Sequence, residues 1–308
     1  MLTVRKLLAH VRQGDWFISL DLKDAYFQIQ INPRHRSFLR FAFEGQVYQY
    51  AVLPFGLSLA PRTFTKCMDA ALAPLRSQGL RILNYLDDWL ILAQSQTALL
   101  SHRAVLLNHL KTLGLSVNWT KSSLQPSQTI SFLGIDLNSI TMKARLSTQR
   151  ARSVQRLAAS CQMGTRIPLK SFQKMLGYMA SASAVLQLGL LHMRPLQLWL
   201  KSRVSHREWA TGRQLIRVTQ TCISALQPWT VTDWFQRGVT MGTFSRRKVI
   251  STDASNTGWG GGLRGLPGRR PVVESGKPSA HKLIRSDNMA VVAYINRQGG
   301  VRSKDLFI

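Results

Sequence analysis

Hydrophobic positions along the chain change period several times, and each change marks a different kind of element. From Trp16 the pattern is that of strands. Residues 17–21 (FISLD) come first, then 27–31 (FQIQI) with period-two alternation. Residues 38–43 (FLRFAF) and 46–53 (QVYQYAVL) follow, joined at Glu44-Gly45, a hairpin signal. Between Ser58 and Arg76 the residues Phe64, Met68, Ala71, Leu72 and Leu75 recur at helical spacing, with Pro61 near the start where its missing N–H is harmless, so a helix is predicted. Residues 81–93 (RILNYLDDWLILA) are apolar on both sides of two aspartates and predict strand, tight turn, strand. Ser101 to Leu113 predicts a helix closed by Gly114, and residues 130–137 (ISFLGIDL) predict one further strand. Strands and helices in this order predict an α+β fold for residues 1–140.

Strand alternation is missing from residues 141–245, where Arg145, Arg152 and Arg156 fall at helical spacing, and a mostly helical segment is predicted. Within it, Met175 to Met193 is uncharged but holds Ser, Gln, Gly and His, so a buried helix is expected there and not a membrane span. Short strands return at residues 248–255 (KVISTDAS), 258–263 (GWGGGL) and 282–288 (KLIRSDN), followed by a helical stretch at 289–297 (MAVVAYINR). A small α/β unit is predicted at this end.

Charge sharpens the picture. The 308 residues carry 41 basic against 14 acidic side chains, a net +27, more than solubility requires, and the expected partner is a polyanion, nucleic acid first. Residues 141–250 hold 18 basic side chains against Glu208 and Asp233, which predicts a phosphate-tracking surface. An apolar share of 45% excludes a disordered tail protein. Cys67, Cys161 and Cys222 are far apart with no CxxC pair, which argues against a disulfide framework or zinc module and fits a reducing compartment. Residues 1–10 lack the apolar core of a signal peptide, so an intracellular, cytoplasmic or nuclear, non-secreted protein without a membrane partner is expected.

Acids are scarce, yet Asp21 and Asp24 stand in SLDLKDAYFQI and Asp87 and Asp88 in NYLDDWLIL. Apolar strand ends are costly places for unpaired carboxylates. Two like charges about 4 Å apart repel by about 4 kcal/mol at an effective dielectric near 20, so such a cluster calls for protonation or a cation. Carboxylate oxygens suit Mg²⁺ or Mn²⁺, and the two pairs together outline a two-metal site for in-line phosphoryl transfer. A polar hairpin tip and a strand-end cap are the plain alternative for either pair alone.

The ordered series SLDLKDAYFQI, VLPFGLSLAPRTF, NYLDDWLIL, GLSVNWTKS and FLGIDL resembles the motif series of reverse transcriptases. DWFISLDLKDAYFQI, LPFGLSLAPRTF and AYINRQGG are similar to the polymerase region of DIRS-type retrotransposons, mobile elements with a tyrosine recombinase. The resemblance implies a palm of antiparallel sheet and helices with partial fingers over residues 1–140, a basic helical thumb or connection over 141–247, and an incomplete RNase H-like domain over 248–308. It implies that Asp21, Asp87 and Asp88 bind two Mg²⁺ or Mn²⁺ ions. Asp24 and Ala25 would lie at the incoming nucleotide, and Tyr26 beneath its sugar, excluding a ribose 2′-hydroxyl. Leu53-Pro54-Phe55-Gly56 matches the loop where template and nucleotide pack, with Phe55 and Gly56 as nucleotide contacts. Lys121 matches the lysine near the pyrophosphate leaving group. The implied partners are an RNA template, a DNA primer, an RNA–DNA hybrid and a dNTP. With Met1 only twenty residues before Asp21, most of the fingers hairpin is expected to be missing, and Arg34, Arg36 and Arg40 are not assigned its triphosphate-holding role.

Residues 250–255 (ISTDAS) and 285–288 (RSDN) resemble aspartate strands of an RNase H domain, with Asp253 and Asp287 as the matched acids. The interval is rich in Gly, Pro and Arg, Glu274 sits in a loop context, and the chain ends at Ile308 before a last acid, so weak or no cleavage is expected. The expected reaction is RNA-directed DNA synthesis, attack of a primer 3′-hydroxyl on an α-phosphate with loss of pyrophosphate. Two other readings stay open, a catalytically dead nucleic-acid-binding remnant and ribonuclease H activity on RNA–DNA hybrids. Oligomeric state is not legible.

Overall fold

The computed structural model describes residues 1–205 and 214–242 in full and the backbone of 247–255, 258–263 and 281–285. Two units divide the chain, Met1–Ala144 with Thr240–Gly242, and Arg145–Val239 with Thr243–Ile308.

The first unit opens with α1 (Val4–His10), whose N-terminus is capped where the Thr3 hydroxyl accepts from the Lys6 N–H. It continues through β1 (Trp16–Asp21), β2 (Arg40–Phe43), β3 (Gln46–Gln49), α2 (Ala60–Ser77), β4 (Arg81–Tyr85), β5 (Asp88–Ala93), α3 (Gln96–Thr112), β6 (Ser123–Ser127), β7 (Thr129–Phe132) and β8 (Ile135–Asn138), and its main segment ends within β9 (Lys143–Leu146). The main sheet has the order β4-β5-β1-β6, with β1 antiparallel to β5 and to β6. Ile18 and Leu20 of β1, Ile82 of β4, and Trp89 and Ile91 of β5 share one buried cluster with Phe64, Met68 and Leu72 of α2 and Leu99, Leu106 and Leu110 of α3. Alternation puts Phe17, Leu90 and Leu92 on the opposite face, and they are buried too. A strand covered on both faces reads as a continuous apolar run, which is why β5 shows no alternation in sequence.

Three strand expectations are corrected. Residues 27–31 form no strand. Asp24 adopts the left-handed region (φ 52°), Phe27 N–H donates to the Asp24 carbonyl at 2.8 Å, and Ala25–Gln28 closes into a 3₁₀ turn, leaving only the single bridge Gln30–Val52. The alternation there reflects burial of Tyr26 with partial burial of Ile29 and Ile31. Residues 130–137 are two strands, β7 and β8, because Leu133 (φ 52°) and Gly134 (φ 74°) both take the positive φ that a two-residue hairpin turn demands. A leucine in that conformation gives no turn signal. Residues 38–39 belong to a 3₁₀ segment, Pro33–Leu39, so the hairpin strand starts at Arg40. The Glu44-Gly45 turn of β2 and β3 is as expected, with both residues at positive φ.

The second unit holds α4 (Thr148–Ala159), β10 (Arg166–Pro168), α5 (Leu169–Ala182), α6 (Gly189–Lys201), β11 (Leu215–Arg217), α7 (Gln220–Leu226) and α8 (Thr232–Arg237), ahead of β12 (Val239–Thr240), where the chain passes back to the first unit. Helices dominate, but β10 and β11 pair antiparallel over three residues each, too short a run for alternation to show. The expected helix over 175–193 is two helices, broken after Ala182, with Leu188 in the left-handed region before α6. Its apolar residues Met175, Met179, Val185, Leu186 and Met193 are buried as expected. Buried indoles carry their polar atoms satisfied: Trp229 Nε1 donates to the His192 carbonyl at 3.1 Å, Trp234 Nε1 to the Gln187 carbonyl at 3.1 Å and Trp199 Nε1 to Thr219 Oγ1 at 2.8 Å.

At the C-terminal end, β13 (Arg247–Ser255) lies between β14 (Gly258–Leu263), antiparallel to it, and β15 (His281–Arg285), parallel to it. The predicted helix at 289–297 lies outside the described residues. Among the described residues no helix is long and apolar enough to cross a membrane.

Candidate active site

Antiparallel pairing of β1 and β5 makes Asp21 and Asp88 the two halves of one rung, the last before the β4–β5 turn. Asp87 sits in that turn, between Tyr85 and Asp88, which are themselves paired. The turn is held against strain. Leu86 lies at φ 53°, a conformation that costs a β-carbon residue about 1–2 kcal/mol, and its carbonyl accepts from Trp89 Nε1 at 2.9 Å. Just past β1, the Leu22 N–H donates to the Asp87 carbonyl at 3.0 Å. A third segment closes the site. Asn118 N–H donates to the Asp21 carbonyl at 2.8 Å, Asp21 N–H donates to Ser122 Oγ at 3.0 Å, and Ser122 Oγ donates back to the Asn118 carbonyl at 2.7 Å. This links Lys121 to the carboxylate rung through its immediate neighbours.

The charges sense one another. Burial pushes the Asp21 carboxyl above its usual range, and the Asp87 charge adds to that, against Lys121 and a hydrogen bond from Asn118. Asp88 is raised by burial first, then by Asp87 and Asp21, again with Lys121 opposing. The Tyr26 phenol is raised by burial, then by Asp87 and Tyr85, so the aromatic ring stands near the same carboxylates. Among the described residues no three His, Cys, Asp or Glu side chains close around a single point as a metal cage. Mg²⁺ is held in phosphoryl-transfer sites by one or two carboxylates, with water and substrate phosphates completing the shell. The hard oxygen donors here, burdened by mutual repulsion and burial, fit such an ion.

Beside the rung, Asp24 is exposed in its left-handed turn, and Ala25 and Tyr26 behind it are buried. The Tyr26 ring meets Phe55 at 4.9 Å and Phe64 edge-on at 5.3 Å, while Phe27 meets Phe55 edge-on at 5.0 Å. Leu53 N–H donates to the Ile29 carbonyl at 2.8 Å, tying the Leu53–Gly56 loop to the Tyr26 segment. Phe55 is 60% exposed at this edge. Gly56 has φ +85° and open space where a Cβ would stand, so its backbone is unobstructed by the protein. The structure thus draws together Asp21, Asp87, Asp88 and Lys121, and beside them Tyr26 and Phe55. Asp253 pairs with Gly260 on the β13 backbone, but its side chain and all of Asp287 lie outside the described residues. Asn118, Ser122 and Trp89 were not singled out in the sequence. Each works through a backbone contact, and only the motif GLSVNWTKS, read for its lysine, points to the first two.

A family model described as reverse transcriptase (RNA-dependent DNA polymerase) matches residues 2–137. Over 136 residues the chain is 35% identical to an enzymatic polyprotein of Cestrum yellow leaf curling virus, covering 44% of this chain and 20% of that one. Over 196 residues it is 30% identical to a Gag-Pro-Pol polyprotein of squirrel monkey retrovirus, covering 60% and 10%, and over 135 residues 30% identical to the transposon Tf2-3 polyprotein of Schizosaccharomyces pombe, covering 44% and 10%. The chain therefore spans a fifth or less of these relatives. In fold it is similar to a foamy viral protease-reverse transcriptase solved in complex with RNA/DNA hybrid, with TM-score 0.65 and 18% identity over 85% of this chain and 35% of that one. The same viral protein in complex with dsDNA gives TM-score 0.61 and 19% identity over 86% and 51%. Over residues 2–137 the chain is thus similar to the reverse transcriptase domain found in retroviral and retrotransposon polyproteins.

Proposed function

We propose that the chain carries template-directed nucleotidyl transfer, extending a DNA primer on an RNA template with dNTPs, within the polymerase region of a DIRS-type retrotransposon. The reading takes residues 1–140 as palm with partial fingers, 141–247 as thumb or connection and 248–308 as an incomplete RNase H-like domain. The observation that supports it most is the rung Asp21–Asp88 with Asp87 in the adjoining turn and Lys121 on the segment hydrogen-bonded to Asp21.

In this reading Asp21, Asp87 and Asp88 hold two divalent ions, Mg²⁺ or Mn²⁺, whose chemistry is to lower the pKa of the attacking hydroxyl and neutralise phosphate charge. The primer 3′-oxygen forms a bond to the α-phosphorus as the bond to the pyrophosphate oxygen breaks, and Lys121 supplies positive charge or a proton to that leaving oxygen. Asp24 and the backbone at Ala25 border the triphosphate. Tyr26, braced by Phe64 and Phe55, forms a rigid floor under the sugar that a 2′-hydroxyl would meet. Phe55 and the open backbone of Gly56 border the nascent base pair. The three free cysteines fit a reducing, intracellular setting. Cys161 and Cys222 are buried, and burial pushes the Cys222 thiol up to about 12, so neither is a reactive thiolate.

The test is nucleotide selection. With the full chain, Mg²⁺ and a primed RNA template, each of the four dNTPs is offered alone while the first template base is varied. Addition of the complementary nucleotide in every case supports copying; addition of one nucleotide irrespective of template, or none, overturns it.

A further inference from the structure

The edge of β1 that faces away from β5 loses its register at the carboxylate rung. Ser19 pairs with Ser123 before Asp21, and Leu22 bridges Val117 after it. Two residues of the β1 side, Leu20 and Asp21, therefore face five of the partner segment, Asn118 to Ser122, and three residues are looped out of the ladder. Past the loop the pairing continues, with Lys23 N–H donating to the Ser116 carbonyl at 2.9 Å. Successive residues of a strand turn their N–H and C=O groups to opposite neighbours. Leu22 N–H goes to the Asp87 carbonyl, so Asp21 turns both of its backbone groups to the loop, and its rung with Asp88 is a non-hydrogen-bonded pair. The slip thus falls where it would leave the backbone of Asp21 without partners.

Two residues of the loop supply them. Asn118 N–H donates to the Asp21 carbonyl at 2.8 Å. In an uninterrupted pair the Asp21 N–H would reach the Asn118 carbonyl in return, and here Ser122 Oγ is inserted between the two, accepting from Asp21 at 3.0 Å and donating to Asn118 at 2.7 Å. The Thr120 hydroxyl donates to Asn118 Oδ1 at 2.8 Å, which leaves the amide N–H of Asn118 for the Asp21 carboxylate. Asn118 and Ser122 are half-buried, and Trp119, Thr120 and Lys121 between them are exposed. A loop that merely crossed the sheet edge would leave Asp21 to water, whereas this one fixes both its backbone and its carboxylate.

We propose that Ser122 and Asn118 are positioning residues for Asp21, the serine hydroxyl fixing its backbone and the asparagine amide orienting its carboxylate as a ligand for a divalent ion. The proposal deepens the metal-dependent reading of the site and rests on it. Groups that orient a metal ligand without touching the metal are worth about ten- to a hundredfold in metal affinity or activity.

Mn²⁺ alone is the probe, titrated into the full chain and followed by the electron paramagnetic resonance of the free ion, with D21N defining the binding that depends on Asp21. S122A removes the hydroxyl and S122T keeps it, while N118A leaves every backbone hydrogen bond in place and carries the test where S122A fails to fold. S122A and N118A are expected to weaken Asp21-dependent Mn²⁺ binding about tenfold or more, and S122T to stay within about threefold of wild type. Primer–template affinity, read by anisotropy, should hold within about twofold in N118A, and the rate of single-turnover dNTP addition should fall in the order of Mn²⁺ affinity. Mn²⁺ binding unchanged in N118A or in a folded S122A, S122T as weak as S122A, or wild-type Mn²⁺ binding that D21N leaves intact would each overturn the proposal. So would primer–template affinity lost in N118A in step with Mn²⁺ binding, because the loop would then serve the fold. Mn²⁺ binding weakened as expected, from a wild-type chain that adds no nucleotide, would instead sink the polymerase reading and leave the positioning role standing.

Discussion

Replacing Asp88 with Asn separates the stability of the site from its chemistry. Asp88 and Asp21 share a rung, where Cα atoms of an antiparallel pair are about 5 Å apart, and at that separation two carboxylates repel by about 3 kcal/mol at an effective dielectric near 20. Both groups are part-exposed, so water screens the repulsion, and about 1–2 kcal/mol remains. Asparagine has the shape of aspartate without the charge. D88N is therefore expected to be more stable than wild type by about 1–2 kcal/mol at pH 7 without divalent ions, a rise in Tm of about 3–6 °C for a unit of this size. Burial and the neighbouring charges hold the Asp88 pKa above its ordinary 3.8, so the folded chain takes up protons before the unfolded one does. The contribution of this group to metal-free stability consequently rises as pH falls through the raised value, and D88N lacks that rise. Urea unfolding with EDTA at pH 7 and across mildly acidic pH measures both. A D88N protein destabilised by more than about 1 kcal/mol at pH 7 would refute the reasoning, because the carboxylate would then be serving the fold.

Three further outcomes follow from other parts of the chain. Asp15 is fully buried and accepts from the Arg12 N–H at 2.8 Å, from both terminal nitrogens of Arg81 and from Gln94, so D15A strands a half-buried guanidinium and should lose about 2–4 kcal/mol in urea unfolding; a loss under about 1 kcal/mol would contradict it. Burial holds His192 below its ordinary 6.5, so the unfolded chain binds the proton first and the His192 contribution to stability falls as pH drops below that value; H192F, which keeps a ring beside Trp234, should flatten the fall between pH 7.5 and 5.5 in the same assay, and an unchanged slope would count against it. Affinity for a primer–template duplex should drop about a hundredfold or more between about 50 and 200 mM salt, read by anisotropy, since several phosphates are neutralised at once; a flat response would remove the phosphate-tracking surface.

The site was more legible in the sequence than the strands that build it. Asp87 and Asp88 between two apolar runs marked a strand, turn, strand, and β4 and β5 have that form; β5, buried on both faces, is apolar up to the turn. Asp21 closing β1 was equally plain. The segment after it was misread because period-two alternation in FQIQI cannot distinguish a strand from a 3₁₀ turn that buries Tyr26, and the deciding feature, Asp24 at positive φ, leaves no hydrophobic trace. Leu133 misled for the same reason, whereas Leu86, in the same conformation, lies in a turn that the two aspartates had already marked, and the Trp89 indole holds its carbonyl there. The clamp on Asp21 joins its backbone to the Asn118 N–H and the Ser122 hydroxyl, about a hundred residues away along the chain, and is invisible to any local pattern. The exposure of the β2–β3 hairpin could not be read either, since an alternating aromatic strand predicts a face but not whether anything covers it.

The central claim is that the Asp21–Asp87–Asp88 cluster performs metal-dependent nucleotidyl transfer. Single-turnover addition of one complementary dNTP to a labelled DNA primer on RNA, with the full chain and Mg²⁺, measures it most directly when wild type is compared with D87N at matched primer–template occupancy. The account predicts Mg²⁺-dependent addition by wild type and a loss of at least about a thousandfold in D87N with binding preserved. Equal rates in the two proteins, or no addition by wild type while it binds the primer–template, would contradict it.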